Sequence, residues 1–201
     1  MQFGIIFPTR IDDWQLIKDA EDLDYDRAWV PDSQMIWSDC YGTLALAAHN
    51  TSHIHIGSGV SIPGTRIAPV TAHSIASINQ IAPGRVFLGI GTGHTAMRVM
   101  GMKPMRIKAF REYLRVVSTL LRGEEVEYTL AGTTRTIQFL HQDLRFINLE
   151  DSIPIYIAAN GPRALHITGE FGAGLTTLLY EDTSVLTSHL QLIKEGAAKA
   201  G

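Results

Sequence analysis

The chain has 201 residues, 45% hydrophobic and 18% charged, with a formal net charge of -3. That is enough apolar material for one substantial core, and the slight acidity excludes the basic field that nucleic-acid binding needs. No apolar run of about 18 residues predicts a membrane span, Met1 to Phe7 lacks the layout of a signal peptide, and the lone Cys40 has no internal disulfide partner, so a cytoplasmic protein is expected.

The predicted elements alternate along the chain. Residues 3–7 form a short apolar strand, and Trp14, Ile17, Ala20 and Leu23 follow at helical spacing. Residues 28–30 make a second strand, 44–49 a helix of small residues, and 54–60 a third strand. Val70, Ile75, Ile78 and Ile81 mark a third helix, and residues 86–90 a fourth strand. Residues 107–121 place Phe110, Leu114, Val117 and Leu121 on one side of a helix. Residues 126–147 alternate polar and apolar around Ala131-Gly132-Thr133, which predicts a β-hairpin inserted at about residues 124–150 of a single domain. A fifth strand (155–159), a helix (162–171), a sixth strand (175–179) and a last helix (184–198) complete the chain.

Several strands are apolar at consecutive positions, as in a sheet covered on both faces. Strand-helix alternation implies right-handed crossovers and a parallel sheet. Two architectures fit: a doubly wound open sheet, or a TIM barrel of which six β/α units are visible. The barrel needs eight, so a single barrel domain over residues 1–201 is expected to be C-terminally truncated.

Both architectures bind ligands at the carboxyl ends of their strands. Here those ends carry glycines and small polar residues. Asn160-Gly161-Pro162-Arg163 joins a strand to a helix, which makes either a phosphate site at a helix N-terminus or an ordinary turn. Gly89-Ile90-Gly91-Thr92-Gly93 lacks the spacing of a nucleotide fingerprint and reads foremost as a tight turn at a strand end. Asp32 suits a hydrogen bond to a ligand or a helix N-cap. His94, just past the glycine turn, is a candidate proton donor or substrate contact. Met97, Met100, Met102 and Met105 form either an apolar pocket wall or plain packing. No histidine or cysteine spacing predicts a metal site, and no G-x-S-x-G elbow points to a hydrolase.

The chain resembles the luciferase-like monooxygenase superfamily, which holds bacterial luciferase and deazaflavin enzymes such as methylenetetrahydromethanopterin reductase. The resemblance rests on Ala28-Trp29-Val30-Pro31-Asp32, on Gly57-Ser58-Gly59-Val60 with Thr65-Arg66, and on the run Ala82-Pro83-Gly84-Arg85-Val86-Phe87-Leu88-Gly89-Ile90-Gly91. It continues in Phe110-Arg111-Glu112, Leu121-Arg122-Gly123 and Asn160-Gly161-Pro162-Arg163 with Gly169. It implies a TIM-type (β/α)8 barrel with an insertion before the fifth strand, and a non-prolyl cis peptide at Gly59-Val60 behind a flavin ring.

The cofactor it implies is coenzyme F-420 or FMN, held by Asp32, Ser58, Gly59, Val60, Thr92, Ala159, Asn160, Gly161 and Pro162, with a phosphate near Gly161 to Arg163. An acidic residue at Asp32 resembles the deazaflavin branch, although the histidine that follows it in some members is Ser33 here. Three functions remain open at this point. The first is an oxidoreductase moving a hydride between F-420 and an organic substrate, with Asp32 and His94 as catalytic candidates. The second is a monooxygenase using reduced FMN and dioxygen. The third is a non-catalytic flavin-binding short relative. A homodimer with a small-molecule substrate is expected, and no nucleic-acid or membrane partner.

Overall fold

The computed structural model describes residues 2–178 and 182–201. Six parallel strands form one sheet: β1 (Gly4–Ile6), β2 (Arg27–Val30), β3 (His55–Ser58), β4 (Val86–Ile90), β7 (Ile155–Ala158) and β8 (Gly174–Thr176). Two further strands, β5 (Val126–Leu130) and β6 (Thr133–Ile137), pair antiparallel with each other alone. The helices are α1 (Gln15–Asp22), α2 (Cys40–Asn50), α3 (Ala68–Ile81), α4 (His94–Val99), α5 (Ile107–Leu121), α6 (Pro162–Phe171) and α7 (Thr183–Ala200).

Strand order separates the two architectures. The sheet runs β1-β2-β3-β4-β7-β8, so each new strand is added on the same side as the last. A doubly wound sheet must reverse its order midway to place helices on both faces. Without a reversal, right-handed crossovers put every helix on one face, and the sheet is the larger part of a barrel wall.

Side-chain parity follows from this. Ala28 and Val30, Ile56 and Ser58, Leu88 and Ile90, and Ile155 and Ile157 alternate onto the helix-facing side and are buried. The alternate positions carry Trp29, Phe87 and Tyr156, whose rings cluster with centroids 4.3 Å (Trp29–Phe87) and 5.5 Å (Phe87–Tyr156) apart. Glycine makes the room: a Cβ on Gly57 would lie 2.3 Å from the Phe87 ring, and one on Gly89 3.0 Å from that of Trp29. The guanidinium of Arg27 stacks over Tyr156 at 5.1 Å.

At the end where the strands begin, buried polar groups hold the loops. The Glu21 carboxylate accepts N–H bonds from Ser52, His53 and Ile54 at 2.7–3.0 Å. Burial pushes its pKa up, but the three N–H bonds outweigh burial and bring it down to about 2. Arg85 donates to the carbonyls of Ala48, Thr51 and Ile54 and to the Thr51 hydroxyl, closing the C-terminus of α2.

The β4, α5 and α6 bounds coincide with those read from the sequence. The β5–β6 hairpin lies between α5 and β7 as predicted, but its strands stop at Ile137. His141 and Arg145, at φ 55° and 53°, flank a 3-10 turn where further strand is predicted. The sixth strand is shorter than predicted, and the last residue predicted for it, Leu179, lies outside the described residues. The helix α4 goes unpredicted, because six residues carry too little periodicity.

Candidate functional site

The carboxyl ends of β3, β4, β7 and β8 enclose two adjoining hollows. The first, of about 280 Å3, is lined among others by Ser33, Gly59, Val60, Thr92, His94 and Thr176. The second, of about 530 Å3, adds Met105, Gly161, Pro162 and Arg163. Thr92, His94, Ala159 and Asn160 border both. Of the eleven residues that the sequence singles out, nine meet here and two do not.

Local backbone explains the first hollow. Gly59 N–H donates to the Val30 carbonyl and Ser61 N–H to that of Gly89, both at 2.7 Å, which fixes Gly59 and Val60 across the strand ends. The Gly59–Val60 peptide is cis, as the resemblance implies. Gly91 stands opposite: a Cβ there would approach that of Ala158 to 3.1 Å and Val60 Cγ2 to 3.3 Å, so a side chain would narrow the hollow. The Thr176 hydroxyl is buried without a hydrogen-bond partner among the described residues. A buried hydroxyl beside a hollow is costly to leave unmatched, so its placement fits a polar ligand atom.

The second hollow meets the start of α6. Gly161 is the N-cap, and no side chain caps the helix. A Cβ built on Gly161 meets nothing within 4 Å, so the N-terminus is open. The dipole end of a ten-residue helix, with exposed Arg163 in its first turn, favours an anion. Thr177 Oγ1 donates to Asn160 Oδ1 at 2.7 Å and orients that amide. His94 opens α4 after Gly93, whose φ is 84°, and its exposed ring borders both hollows.

Asp32 and Ser58 lie behind this surface. Ser58 is fully buried, and its hydroxyl donates to the Gly89 carbonyl at 2.7 Å. Asp32 is 2% exposed, bonded by Arg66 Nη1 and Gln34 Nε2 at 2.6 Å each. Burial raises its pKa, against the pull of Arg66 and Gln34. Arg66 also reaches Asp39 at 3.1 Å and stacks over Tyr41 at 4.5 Å. The helix-capping role open to Asp32 falls to Asp39, which accepts Gly42 N–H at the start of α2.

Ser33 and Thr176 line the first hollow without being among the contacts that the resemblance implies. Parity is the signal that finds Thr176, since it shares a face with Gly174 across the outward-turned Leu175. The methionines divide. Met97 is 5% exposed, packed with Ile62 and Ala96, whereas Met105 lines the second hollow. Among the described residues, no group of three or more His, Cys, Asp or Glu is placed to hold a metal ion. No helix among them is long and apolar enough to cross a membrane.

Residues 1–201 match the luciferase-like monooxygenase family. The chain belongs to that family. It is 34% identical over 184 residues, 90% of its length, to a 5,10-methylenetetrahydromethanopterin reductase of Methanolobus tindarius, and it spans 54% of that relative. It is 29% identical to an F420-dependent glucose-6-phosphate dehydrogenase of Microbacterium testaceum, over its full length and 61% of the relative. The coenzyme F420-dependent tetrahydromethanopterin reductase of Methanopyrus kandleri superposes on the whole chain with a TM-score of 0.78 at 28% identity, and the chain covers 62% of that structure. The family and its barrel are therefore as expected, and the chain spans little more than half the length of these relatives.

Proposed function

We propose that the chain forms the cofactor-binding part of an oxidoreductase that moves a hydride between coenzyme F420 and a small organic substrate. One observation carries the proposal: the hollow beside Gly59–Val60 and Thr176 continues onto the open N-terminus of α6. That is room for a planar ring at one end and an anionic group at the other. Two of the relatives named above are F420-dependent, which supports F420 over FMN.

A bound deazaflavin accepts or gives a hydride, and this chain supplies the rest. Gly59, Val60 and Gly91 offer a wall with few side-chain atoms. The Thr176 hydroxyl and Ser33 would hydrogen-bond a bound ring, and Arg163 with the first turn of α6 would hold an anionic group. The His94 imidazole, where the two hollows meet, would serve as proton donor or substrate contact. Asp32 acts through its neighbours: pinned by Arg66 and Gln34, it positions the segment that presents Ser33. Ser58 serves the frame in the same way.

Fluorescence titration of the purified protein with F420 and with FMN tests this. Saturable binding of F420 supports the assignment. Binding of FMN alone, with oxygen uptake on adding reduced FMN, moves the protein to the monooxygenases, and FMN binding without turnover makes it a flavin carrier. For the assembly we propose a cytoplasmic homodimer, which light scattering on the purified protein decides.

A further inference from the structure

The loop that joins β2 to α2, residues 31–39, forms one side of the first hollow through Ser33. Val60 and Ile62, from the segment after β3, form another. Arg66 lies at the far end of that second segment, and its guanidinium reaches both ends of the loop. Nη1 donates to Asp32 Oδ2 at 2.6 Å, near the loop's start, and Nη2 to Asp39 Oδ2 at 3.1 Å, at its end. Among the described residues, these are the only hydrogen bonds from the loop's side chains to anything beyond the loop and α2. Arg66 is itself anchored. Its carbonyl accepts the Tyr113 hydroxyl of α5 at 2.9 Å, and its guanidinium stacks over Tyr41 at 4.5 Å. The Tyr41 hydroxyl meets Ser61 Oγ at 2.9 Å, between Val60 and Ile62. A planar guanidinium presents its donors in a fixed fork, which suits a grip on two carboxylates at once.

We propose that Arg66 is a positioning residue: by gripping both ends of the loop after β2, it holds that loop at a set distance from the segment after β3 and so fixes the width of the first hollow. The inference rests on the cofactor reading above and extends it to a residue outside the hollows, since Arg66 lines neither of them. The bond to Asp32 alone fixes one end of the loop. The second hold, at Asp39, turns the loop into a span tied at both ends, and Ser33 cannot swing away from Val60 without breaking a charge-assisted bond. A wall held in place before the ligand arrives spares the entropy of ordering it on binding.

Three variants test this by fluorescence titration with F420 alongside thermal melting. R66Q weakens binding about tenfold and also lowers the melting midpoint, because it strands the buried Asp32 carboxylate. D32N/R66Q removes that stranded charge, so the midpoint recovers while affinity stays about tenfold below that of the parent. D39N keeps the cap of α2, for which asparagine serves as well as aspartate, and gives up only the second hold. Its affinity falls about threefold with the midpoint unchanged. Parent affinity in R66Q or in D39N overturns the inference and leaves the cofactor assignment intact. So does a return of affinity together with the midpoint in D32N/R66Q, which makes Arg66 a counterion to Asp32 and nothing more. If the parent binds FMN and not F420, the cofactor assignment fails, and the same variants titrated with FMN decide the inference by the same outcomes. A parent that binds neither overturns both.

Discussion

Where the strands begin, Glu21 accepts three backbone N–H groups, Arg85 reaches four oxygens, and the buried Asn79 bonds Asn148, Asp151 and Gly84. Where they finish, α3, α5 and α6 start without a side-chain cap, and the hydroxyls of Thr9 and Thr176 are buried without partners. The starting end thus spends most of its polar groups on one another, with Glu21 Oε2 left without a hydrogen bond, while the finishing end leaves uncapped helix starts and unmatched hydroxyls. Unspent donors lower stability but are what a ligand can use. The Asp32–Arg66 pair, the Asp39 cap of α2 and the Ser58–Gly89 bond are exceptions at the finishing end.

Substitutions at the two ends should therefore separate stability from binding. The largest effect is expected at Glu21. Its pKa of about 2, against an ordinary 4.5, stabilises the fold above about pH 4.5. As pH falls from there toward 2 the carboxylate protonates and about 3 kcal/mol is lost. Glu21→Gln should forfeit most of this at neutral pH and flatten the acid limb of the stability curve, as denaturant titrations across pH would report. Cofactor affinity should not change.

His94→Ala reverses the pattern. Loss of a proton donor should lower kcat about 100-fold, while the thermal midpoint stays within a degree or so, because the ring is exposed. A variant that keeps full turnover removes His94 from the chemistry. Thr176→Val makes the smallest change. Its hydroxyl has no partner to lose, so stability should hold or rise slightly, while cofactor affinity should fall about fivefold for one lost hydrogen bond. Calorimetric titration showing unchanged affinity would detach Thr176 from the site.

The beginning end is also the more legible end in the sequence. Apolar periodicity delimits β4, α5 and α6 to the residue, because each runs its full length against the core. At the finishing end the chain leaves regular hydrogen bonding, and an apolar run read past the last ladder pair overextends β3 and β7. The fold was readable only with the resemblance, since alternating strands and helices suit both an open sheet and a barrel until strand order is known. Gly59, Val60 and Asn160 to Arg163 are legible as a site because glycine and proline mark the turns. Ser58 shares the parity of Ile56 and is buried, while Asp32, past the end of β2, is buried against Arg66 and Gln34.

Strands that sit in the order of their synthesis have a consequence for assembly. Each new β/α unit emerges beside the edge it will join, so the sheet can lengthen one unit at a time while the chain is still being made. The longest step is from β4 to β7, across the hairpin. Because each doubling of a loop costs only about 0.6 kcal/mol of closure entropy, the hairpin adds length without interrupting that order. A lineage can accept such an insertion, or enlarge it, without redesigning the wall on either side.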